Sequence, residues 1–589
     1  MEKEKEEQLH MYRHSMAHIL AKALTQLWPD VKLTIGPAID NGFYYDIDME
    51  HAITPDDFKS ISDKMDAIIK NNEDFVRHEV TKQQALEMFK NNPYKTELIK
   101  EMPEDEIITV YNTGDDFVDL CRGPHVENTK YLRGFAYKIA KVNGAYWRGN
   151  EKNKMLQRVY VYGFLNKEDL KQYVAMMEEA AQRDHRKLGK DLGIFMFSDL
   201  VGKGLPMWLP NGFIVRRALS DYIIDKELAL GYKHVMTPSL ATVDLYKTSG
   251  HWDHYHEDMF PSMKREDEEY VLRPMNCPHH MMIFKSFMHS YKDLPLRMAE
   301  IANDFRFEGG GSLCGIERAR AFTQNDSHIF CRPDQIASEV ENVIKLILDV
   351  YKDFGFEKYS FRLSLRDENN AEKYFGNDDL WEKSESALRK ILKDNGADFY
   401  EAKGEAAFYG PKIDVQVRSA LGHDVTLSTV QLDYQLPEKF ELEYVDENNQ
   451  KVRPVVIHRA ILGSLDRFVA FLLEETKGVL PVWLCPVQVK VLNIADSHFE
   501  YANKVKDVLL NNGVRVELDS RNEKIGKKIR EAQLEKVPYM LIIGDKEVEE
   551  GKVSVRHRKE GDKGAMGLDD FVELIKAEIK SKSINQCNF

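Results

Sequence analysis

The N-terminal segment carries its apolar side chains at helical spacing. The apolar residues of this stripe are Met16, Ile19, Leu20, Leu24 and Leu27. Their recurrence every three or four positions predicts an amphipathic helix over residues 12–28. Because positions i and i+4 share a helix face, we expect His14 and His18 one turn apart on it.

The pattern changes three times along the rest of the chain. Between residues 31 and 165, strand-like alternation in IITVYNT and QRVYVYGF predicts an α+β module. Residues 167–192 are strongly charged and predict a linker helix that ends near Gly193, and a large region rich in short strands follows to about Lys477. After Gly478, strands alternate with helices, which is typical of an α/β domain with a parallel or mixed sheet.

Length and composition agree with several domains. A chain of 589 residues is too long for one hydrophobic core, and 43% hydrophobic with 30% charged residues is typical of a globular protein. The predicted domains are 1–165, 166–194, 195–478 and 479–589. No apolar run approaches the roughly 20 residues that cross a bilayer. The N-terminus has no secretory pattern, so we expect a cytoplasmic protein with no membrane partner.

Cysteine usage and charge restrict the chemistry. The cysteines are scattered, which favours reduced thiols over a disulfide framework. They are Cys121, Cys277, Cys314, Cys331, Cys485 and Cys587. A formal net charge of −15 argues against a protein that coats nucleic acid, although clustered cations can still bind phosphate. The basic clusters at residues 182–190 and 521–536 are either such a surface or solvated helix faces.

Two short motifs, HSMAH and DLCRGPH, bring together side chains that bind metals or transfer protons. These side chains are His14, His18, Cys121 and His125. A protease of the HExxH type is excluded, because Ser15 stands where that motif requires glutamate. Three interpretations remain: a zinc site, a structural histidine pair, or a metal-free hydrolytic pocket in which Asp119 and Lys95 help to position a water against an ester.

Arginines recur around a glycine-rich loop in the central region. FRFE, the loop and the following Arg318 and Arg320 predict a strand, a flexible loop and a second strand. Further along, PVVIH passes through Gly463 into a helix that carries Arg467 in its first turns. A guanidinium fork suits a triphosphate, whereas each arginine taken singly also fits a surface salt bridge. No P-loop or dinucleotide-binding motif stands at a strand-to-helix junction, so an ATP site needs another architecture.

Several ordered motifs carry a family resemblance. FRFE, GSLDRF and YKHVMTPSL around Pro238 are similar to the three signature motifs of class II aminoacyl-tRNA synthetases. RPMNCPHH, RMAE, AFTQNDSHIF, FYGPKID, TVQLDY and IHRAILGSLDRF resemble the threonine-specific family of that class. The likeness runs from HSMAH to SRNEKIGKKIREA, over essentially the whole chain. It implies an α+β multidomain fold: an N-terminal α+β editing domain, a class II catalytic core on an antiparallel sheet, and a C-terminal α/β anticodon-binding domain.

The resemblance also implies an activity and its partners. The expected reaction is ATP-dependent ligation of L-threonine to tRNA(Thr) through threonyl-adenylate, with hydrolytic editing of seryl-tRNA(Thr). The expected partners are tRNA(Thr), threonine, ATP with Mg²⁺ and, through the region of Pro238, a second copy in a homodimer, with no DNA partner. The resemblance also implies one Zn²⁺ per subunit in the catalytic domain, where three protein ligands would leave positions for the amine and hydroxyl of threonine.

The family's site residues carry over to matching positions of this chain. The implied zinc ligands are Cys277, His328 and His458, and the implied threonine-binding residues are Asp326, Tyr409 and Gln431. The implied ATP-binding residues are Glu308, Phe322 and the three catalytic arginines Arg306, Arg318 and Arg467. The implied editing residues are His14, His18, Lys95, Asp119, Cys121 and His125. The implied anticodon-binding residues are Asn522, Glu547 and Arg556, with Lys524 and Lys528 at phosphates.

The chain departs from the family pattern at two places. It opens about a dozen residues before HSMAH, so we expect the form without the small additional N-terminal domain, a loss that would weaken editing or tRNA handling rather than the zinc site. His279 stands where glycine is frequent in the family. His279 and His280 both follow Cys277 closely, but we expect neither to replace His328 or His458 as a ligand.

Three other functions compete with this interpretation. A proline- or histidine-specific synthetase would share the core and the C-terminal domain but would lack the HSMAH and CRGPH module. A freestanding deacylase would need only the N-terminal third of the chain. A catalytically silent RNA-binding paralogue would have no use for Arg306, Arg467 and the zinc ligands, so the enzyme accounts for more of the sequence.

Overall fold

The chain forms two compact units, Met1–Glu179 and Ala180–Phe589. The structure, a computed structural model, describes residues 2–104, 106–150, 152–370, 374, 378–420, 422–582 and 584. Within that part of the chain, no helix has the length and apolar character needed to span a membrane. The five cysteines it includes are all free thiols, as expected, and Cys587 lies outside the described residues.

The first unit is built on a long N-terminal helix and two antiparallel sheets. Its helices are α1 (Glu2–Leu27), α2 (Phe58–Lys70), α3 (Lys82–Met88), α4 (Pro93–Glu101) and α5 (Lys167–Arg183), within which the unit ends. Its strands are β1 (Lys32–Leu33), β2 (Ala38–Ile39), β3 (Gly42–Asp48), β4 (Phe75–Val80), β5 (Ile108–Thr113), β6 (Val118–Leu120), β7 (Ala136–Tyr146) and β8 (Met155–Phe164). The first sheet joins β1, β2 and β3 to β8 and β7, and the second has the order β4-β5-β6.

The apolar stripe of α1 forms the centre of this unit. Met16, Ile19, Leu20 and Leu24 are fully buried. They pack in one cluster with Phe43 of β3 and Val161 of β8. The helix predicted over residues 12–28 is confirmed, but it begins earlier, at Glu2. The added residues are mostly Glu, Lys and Gln, which favour helix without contributing an apolar pattern.

The second unit begins at Ala180, and its first part extends to about residue 476. Its helices up to residue 476 are α6 (His185–Asp191), α7 (Pro210–Ala229), α8 (Val243–Ser249), α9 (His251–Tyr255), α10 (Cys277–Lys285), α11 (Ile336–Asp353), α12 (Asp378–Asp394), α13 (Gln435–Lys439) and α14 (Leu465–Thr476). Its short outer strands are β9 (Phe195–Met196), β10 (Met207–Trp208), β12 (Leu240–Thr242), β13 (Met263–Arg265), β14 (Glu268–Leu272), β21 (Tyr444–Val445) and β22 (Lys451–Val452). The predicted single linker helix is two helices, because Asp184 interrupts it and caps α6 through the N–H of Arg186.

An eight-stranded sheet forms the middle of this part of the unit. Its strands are β11 (Lys233–His234), β15 (Leu296–Phe305), β16 (Ala321–Cys331), β17 (Tyr359–Leu365), β18 (Phe399–Lys403), β19 (Lys412–Arg418), β20 (Asp424–Asp433) and β23 (Val455–Ser464). The order is β11-β15-β16-β23-β20-β19-β17-β18. The two outermost pairs are parallel and all pairs between them are antiparallel, which confirms the predicted antiparallel core. Several of these strands are 10 or 11 residues long, so the prediction of short strands is wrong at the centre of the sheet.

The C-terminal part of the second unit is an α/β domain with a mixed sheet, as predicted. Its strands are β24 (Val489–Asn493), β25 (Val516–Asp519), β26 (Tyr539–Ile543), β27 (Lys552–His557) and β28 (Gly561–Gly567). Its helices are α15 (Phe499–Asn511), α16 (Ile525–Leu534), α17 (Asp545–Glu550) and α18 (Leu568–Ser581). β24 pairs in parallel with β25 and β26, whereas β27 and β28 continue the sheet antiparallel.

A buried ion pair ties α7 to the central sheet. The guanidinium of Arg459 on β23 lies 2.7 Å from the carboxylate of Glu227, and both side chains are completely buried. The amide of Asn325 on β16 donates a second hydrogen bond, 2.8 Å long, to the same carboxylate oxygen. Removing one partner would leave a charge in the interior, so the pair strongly restricts how helix and sheet can pack.

Candidate active site and candidate editing site

A cavity of about 540 Å³ in the second unit collects most of the residues predicted for catalysis. Those that line it are Cys277, Arg306, Glu308, Arg318, Phe322, Asp326, Tyr409, Gln431, His458 and Arg467. His328 is fully buried and joins the same site through its contact with Cys277 and His458. The structure therefore brings together all eleven residues proposed from the resemblance for zinc, threonine and ATP.

Cys277, His328 and His458 form a cluster suited to a metal ion. They come from α10, β16 and β23, are all buried, and place their ligand atoms within 4.8 Å of one another. The Nε2 atom of His328 is buried and has no hydrogen-bond partner among the described residues. His458 directs its own Nε2 at Asp433, 2.8 Å away, so it would bind a metal ion through Nδ1. One thiol and two imidazoles with unused lone pairs fit zinc, and neither His279 nor His280 belongs to the cluster.

A carboxylate and two polar side chains lie beside this cluster. Asp326 is two positions before His328 on β16, so both point to the same face. Its side chain is nearly buried, and burial raises its pKa. Tyr409 stacks on His458 with 4.9 Å between ring centroids and donates its hydroxyl hydrogen to Gln431. A ligand ammonium at Asp326 would supply the positive charge that favours the ionised carboxylate.

The other end of the cavity is cationic. Arg467 lies in the first turn of α14, and its backbone N–H donates to the capping hydroxyl of Ser464, 3.2 Å away. A helix N-terminus and guanidinium groups both favour a bound anion. The guanidinium of Arg306 lies 5.2 Å from the ring centre of Phe322. Arg318 forms a 2.8 Å ion pair with Glu308.

The loop between β15 and β16 is longer than the sequence predicts. β15 ends at Phe305 and β16 begins at Ala321. Arg306, Arg318 and Arg320 therefore lie on the connecting loop and not within the strands, which corrects the predicted strand boundaries. Such a loop position lets the arginines approach a ligand without being fixed by the sheet ladder.

A second cavity, of about 370 Å³, lies in the first unit. The predicted residues that line it are His14, His18, Lys95, Asp119 and Cys121. His125 adjoins it, because its Nε2 lies 3.2 Å from the Cys121 sulfur, as does the Nε2 of His14. Lys95 pairs with Asp119 at 2.7 Å, with both side chains buried. All six residues of the HSMAH and DLCRGPH hypothesis thus meet at one site.

The electrostatics of this site favour neutral imidazoles and a neutral thiol. Burial lowers the pKa values of His14, His18 and His125 below the ordinary value for histidine. Burial raises the pKa of Cys121 to about 11. At neutral pH the thiol is therefore protonated and a poor nucleophile. Neutral imidazoles can accept a proton from water or coordinate a metal, and the four His and Cys ligand atoms lie within 4.8 Å of one another.

Three residues at these sites were not assigned a role from the sequence. Tyr45 donates its hydroxyl hydrogen to Asp119, yet its strand GFYYDID offers no signal for such a role. The sequence gives Ser15 no role beyond excluding a protease motif, but its Oγ lies 3.2 Å from Nδ1 of His125. Asp433 stands inside the motif TVQLDY and orients His458. Only the motif context could have indicated Ser15 and Asp433.

The residues proposed for anticodon contact lie on the C-terminal domain. Asn522 and Lys524 are exposed in the loop before α16, Glu547 lies in α17, and Arg556 lies in β27. Lys528 is buried and donates to the backbone oxygens of Asn493 and Asp519, each 2.9 Å away. The expectation that Lys528 contacts phosphate is therefore wrong, because its ammonium is already satisfied inside the domain.

Three stretches of the chain match described protein families. Residues 108–160 match the "Threonyl and Alanyl tRNA synthetase second additional domain". Residues 256–476 match the "tRNA synthetase class II core domain (G, H, P, S and T)". Residues 486–578 match the "Anticodon binding domain". These stretches follow one another in the order that the sequence motifs predict.

Similar proteins extend the likeness over nearly the whole chain. A threonine--tRNA ligase from Geobacillus kaustophilus is 55% identical over 579 residues, which cover 98% of this chain and 88% of the relative. Another from Staphylococcus carnosus is 53% identical and covers 99% and 90%. The solved structure titled as the RNA binding domain of threonyl-tRNA synthetase from Cryptosporidium parvum matches 67% of this chain and 98% of its own, with 39% identity and a TM-score of 0.65.

A prolyl-tRNA synthetase from the same organism shares the fold, with a TM-score of 0.51 over 68% of this chain and 76% of its own. It is only 17% identical, so it carries no argument about the substrate. The identity of more than half to the threonine-specific relatives separates this chain from its proline-specific alternative. The chain belongs to the threonine--tRNA ligases, a family of class II aminoacyl-tRNA synthetases.

Proposed function

We propose that the cavity of the second unit activates threonine with ATP and charges tRNA(Thr), and that the pocket of the first unit hydrolyses seryl-tRNA(Thr). The observation that carries this proposal is the buried trio of Cys277, His328 and His458 beside a cavity lined by arginines. Enzymes of this family use ATP with Mg²⁺ and attach threonine to tRNA, and this chain is one of them.

The arginine end of the cavity is the proposed ATP site. Arg306, Arg318 and Arg467 neutralise the phosphates while the threonine carboxylate attacks the α-phosphorus and pyrophosphate leaves. Phe322 stacks on the adenine. Glu308 contacts the base once the nucleotide phosphates draw Arg318 out of their 2.8 Å ion pair. The reaction needs no covalent enzyme intermediate, so positioning and electrostatic stabilisation supply the rate acceleration.

The cluster of Cys277, His328 and His458 is the proposed site of one Zn²⁺ per subunit. When bound, the ion supplies Lewis-acid positions for the amine and hydroxyl of threonine. Asp326 would accept a hydrogen bond from the substrate amine, which binds the ion in its neutral form, and Tyr409 and Gln431 border the side chain. Valine lacks the hydroxyl, and sites built around a substrate hydroxyl reject such analogues by roughly 10⁴ to 10⁵.

Serine requires a second site because it keeps the hydroxyl and lacks only a methyl group. That difference is worth about 1–3 kcal/mol in a binding pocket, or roughly 10- to 200-fold. His14, His18, Cys121 and His125, with the Lys95–Asp119 pair, are proposed to hold the seryl ester and activate water. The high pKa of Cys121, about 11, favours a role in positioning over one as a thiolate nucleophile.

The remaining assignments follow the same family pattern. Residues 1–165 are proposed as the editing domain, 166–194 as the linker, 195–478 as the catalytic domain and 479–589 as the anticodon-binding domain, in a cytoplasmic enzyme. Asn522, Glu547 and Arg556 are proposed to read unstacked anticodon bases, because side chains can hydrogen-bond to the Watson–Crick edges of such bases. The exposed Lys524 is left as the candidate phosphate contact.

A homodimer is proposed through the region of Pro238. Met236, two residues before Pro238, is 94% exposed, although it is a large apolar side chain. Burial against a second copy would remove that exposed surface.

Replacing a proposed zinc ligand should remove both metal and activity. In the Cys277→Ala variant we expect no bound zinc and no threonine-dependent ATP–pyrophosphate exchange, because two imidazoles alone hold zinc weakly. The wild-type enzyme should bind one zinc and exchange with threonine, about 10- to 200-fold less efficiently with serine, and negligibly with valine. Metal analysis and exchange rates measure both properties.

The matched control is Cys485→Ala, which truncates another buried cysteine of the second unit, outside the proposed sites. It should keep its zinc and its exchange rate. Wild-type exchange rates in Cys277→Ala, or the absence of exchange with any amino acid in the unaltered enzyme, would overturn the assignment of this cavity.

The editing proposal is tested by separating hydrolysis from activation. His14→Ala should slow hydrolysis of seryl-tRNA(Thr) by at least about 10²-fold, the usual contribution of a proton-transferring group. Exchange with threonine should not change, since the site lies in a different unit. His78→Ala, which removes an exposed histidine of β4 in the same unit, serves as the control. Equal hydrolysis rates in the two variants would contradict the proposal.

An anticodon contact should affect tRNA use alone. Asn522→Ala is expected to raise the KM for tRNA(Thr) about tenfold, which corresponds to about 1.4 kcal/mol. Pyrophosphate exchange requires no tRNA and should stay at its wild-type rate. Asn511→Ala, at an exposed position in α15, should alter neither quantity. A normal KM in the Asn522→Ala variant would remove this residue from the anticodon site.

A charge placed in the proposed dimer contact should dissociate it. Met236→Asp is expected to shift the sedimenting species at micromolar concentration from dimer to monomer, because the carboxylate would be buried without a partner. Leu534→Asp makes the same kind of change at an exposed position of α16, 64% exposed, and should leave the mass unchanged. Unaltered mass in both variants would locate the contact elsewhere.

A further inference from the structure

A second buried histidine stands directly behind the proposed metal ligand His328. His280 lies in the first turns of α10 and is completely buried. Its Nδ1 lies 2.8 Å from Nδ1 of His328, and its Nε2 lies 3.1 Å from a carboxylate oxygen of Glu300 on β15. The three side chains thus form a continuous hydrogen-bonded line, Glu300–His280–His328.

The far end of this line is firmly anchored. The Glu300 carboxylate also accepts hydrogen bonds from the backbone N–H of Thr237, at 2.9 Å, and from the side-chain amide of Asn276, at 3.1 Å. Arg273 lies 3.5 Å away. Although burial raises the pKa of Glu300, the hydrogen bonds from His280, Thr237 and Asn276 and the nearby positive charge hold it at about 2. Glu300 is therefore ionised at neutral pH and can only accept hydrogen bonds.

Hydrogen-bond polarity then fixes where each proton sits. Since Glu300 accepts, Nε2 of His280 carries a hydrogen, and in a neutral ring its Nδ1 becomes an acceptor. His328 must then donate through its own Nδ1, which leaves Nε2 without a hydrogen. That Nε2 is the buried atom that has no hydrogen-bond partner among the described residues.

We propose that His280 is a positioning residue that holds His328 in the tautomer and ring orientation needed to bind zinc, with Glu300 as the anchor. This inference rests on the zinc site put forward under the proposed function. The outer partner of a metal-binding histidine usually acts in this way, by fixing the tautomer and raising the basicity of the coordinating nitrogen. Here the outer partner is a second imidazole, that of His280, which is itself oriented by the carboxylate of Glu300.

His279 does not share this role, although it is the next residue. Its Nδ1 has no partner among the described groups, and its ring lies near Tyr246, with 6.4 Å between centroids. The two adjacent histidines therefore offer a matched comparison in the same turn of α10. A substitution at either position alters the same backbone segment, but only one of them should change the metal site.

The test is the zinc affinity of the full-length protein, measured by competition with a chelator of known affinity. His280→Leu removes the acceptor for His328 and should weaken zinc binding about 10- to 100-fold. His280→Asn places an amide oxygen at the position of Nδ1 and should recover most of the affinity. His279→Asn should bind zinc as the wild-type protein does.

A further variant keeps the test decisive if His280→Leu does not fold. His280→Gln can occupy the position that faces Glu300 but not the one that faces His328, so it should bind zinc more weakly than His280→Asn. Equal zinc affinities in the Asn and Gln variants would overturn the positioning role. Thermal unfolding with and without zinc identifies any variant whose fold, and not its metal site, is altered.

The outcomes distinguish a failure of this inference from a failure of the proposed zinc site. If the wild-type protein binds no zinc, the metal site and the positioning role both fail. If the wild-type protein binds one zinc and His280→Leu binds it equally tightly, the site stands and only the role of His280 is overturned. The inference is supported if His280→Leu binds zinc more weakly than the wild-type protein, while His280→Asn recovers most of the affinity and His279→Asn binds zinc as the wild-type protein does.

Discussion

The register of β16 against β23 is the constraint on which the catalytic cavity depends. It places His328 directly opposite His458, two residues that are far apart in the chain. The register of β20 places Gln431 on the other side of His458. Since side chains alternate between the faces of a strand, a slip of one residue in either pair would turn a polar side chain of the site to the opposite face.

On the opposite face of the same strands, a buried ion pair opposes such a slip. Arg459 follows His458 directly, so its side chain lies on the opposite face of β23, where it reaches the buried carboxylate of Glu227 on α7. Asn325, next to Asp326, donates to the same carboxylate. A shifted register would leave a buried charge without its partner, which is far more costly than a lost apolar contact. The buried ion pair and the cluster of Cys277, His328 and His458 therefore depend on the same strand register.

The two cavities lie in different units and differ in the chemistry of the side chains that line them. In the second unit, guanidinium groups and a helix N-terminus concentrate positive charge near a nearly buried carboxylate, an arrangement suited to phosphates and an amino group. In the first unit, burial keeps imidazoles neutral beside a protonated thiol, an arrangement suited to activating water. This difference in chemistry is the reason for assigning activation to the second unit and hydrolysis to the first. Two sites are needed, because a site that binds the hydroxyl of threonine also accepts that of serine.

The sequence alone determined features that depend on neighbouring residues. Helical spacing was enough for α1 and for the shared face of His14 and His18, and strand alternation was enough for the C-terminal sheet, because both periodicities are local. The grouping of the zinc, threonine and ATP residues was available only through family resemblance. Tertiary structure alone decided that Lys528 is buried and that His280 stands between Glu300 and His328. Those contacts join distant segments, and their formation depends on strand register and burial, which local pattern does not encode.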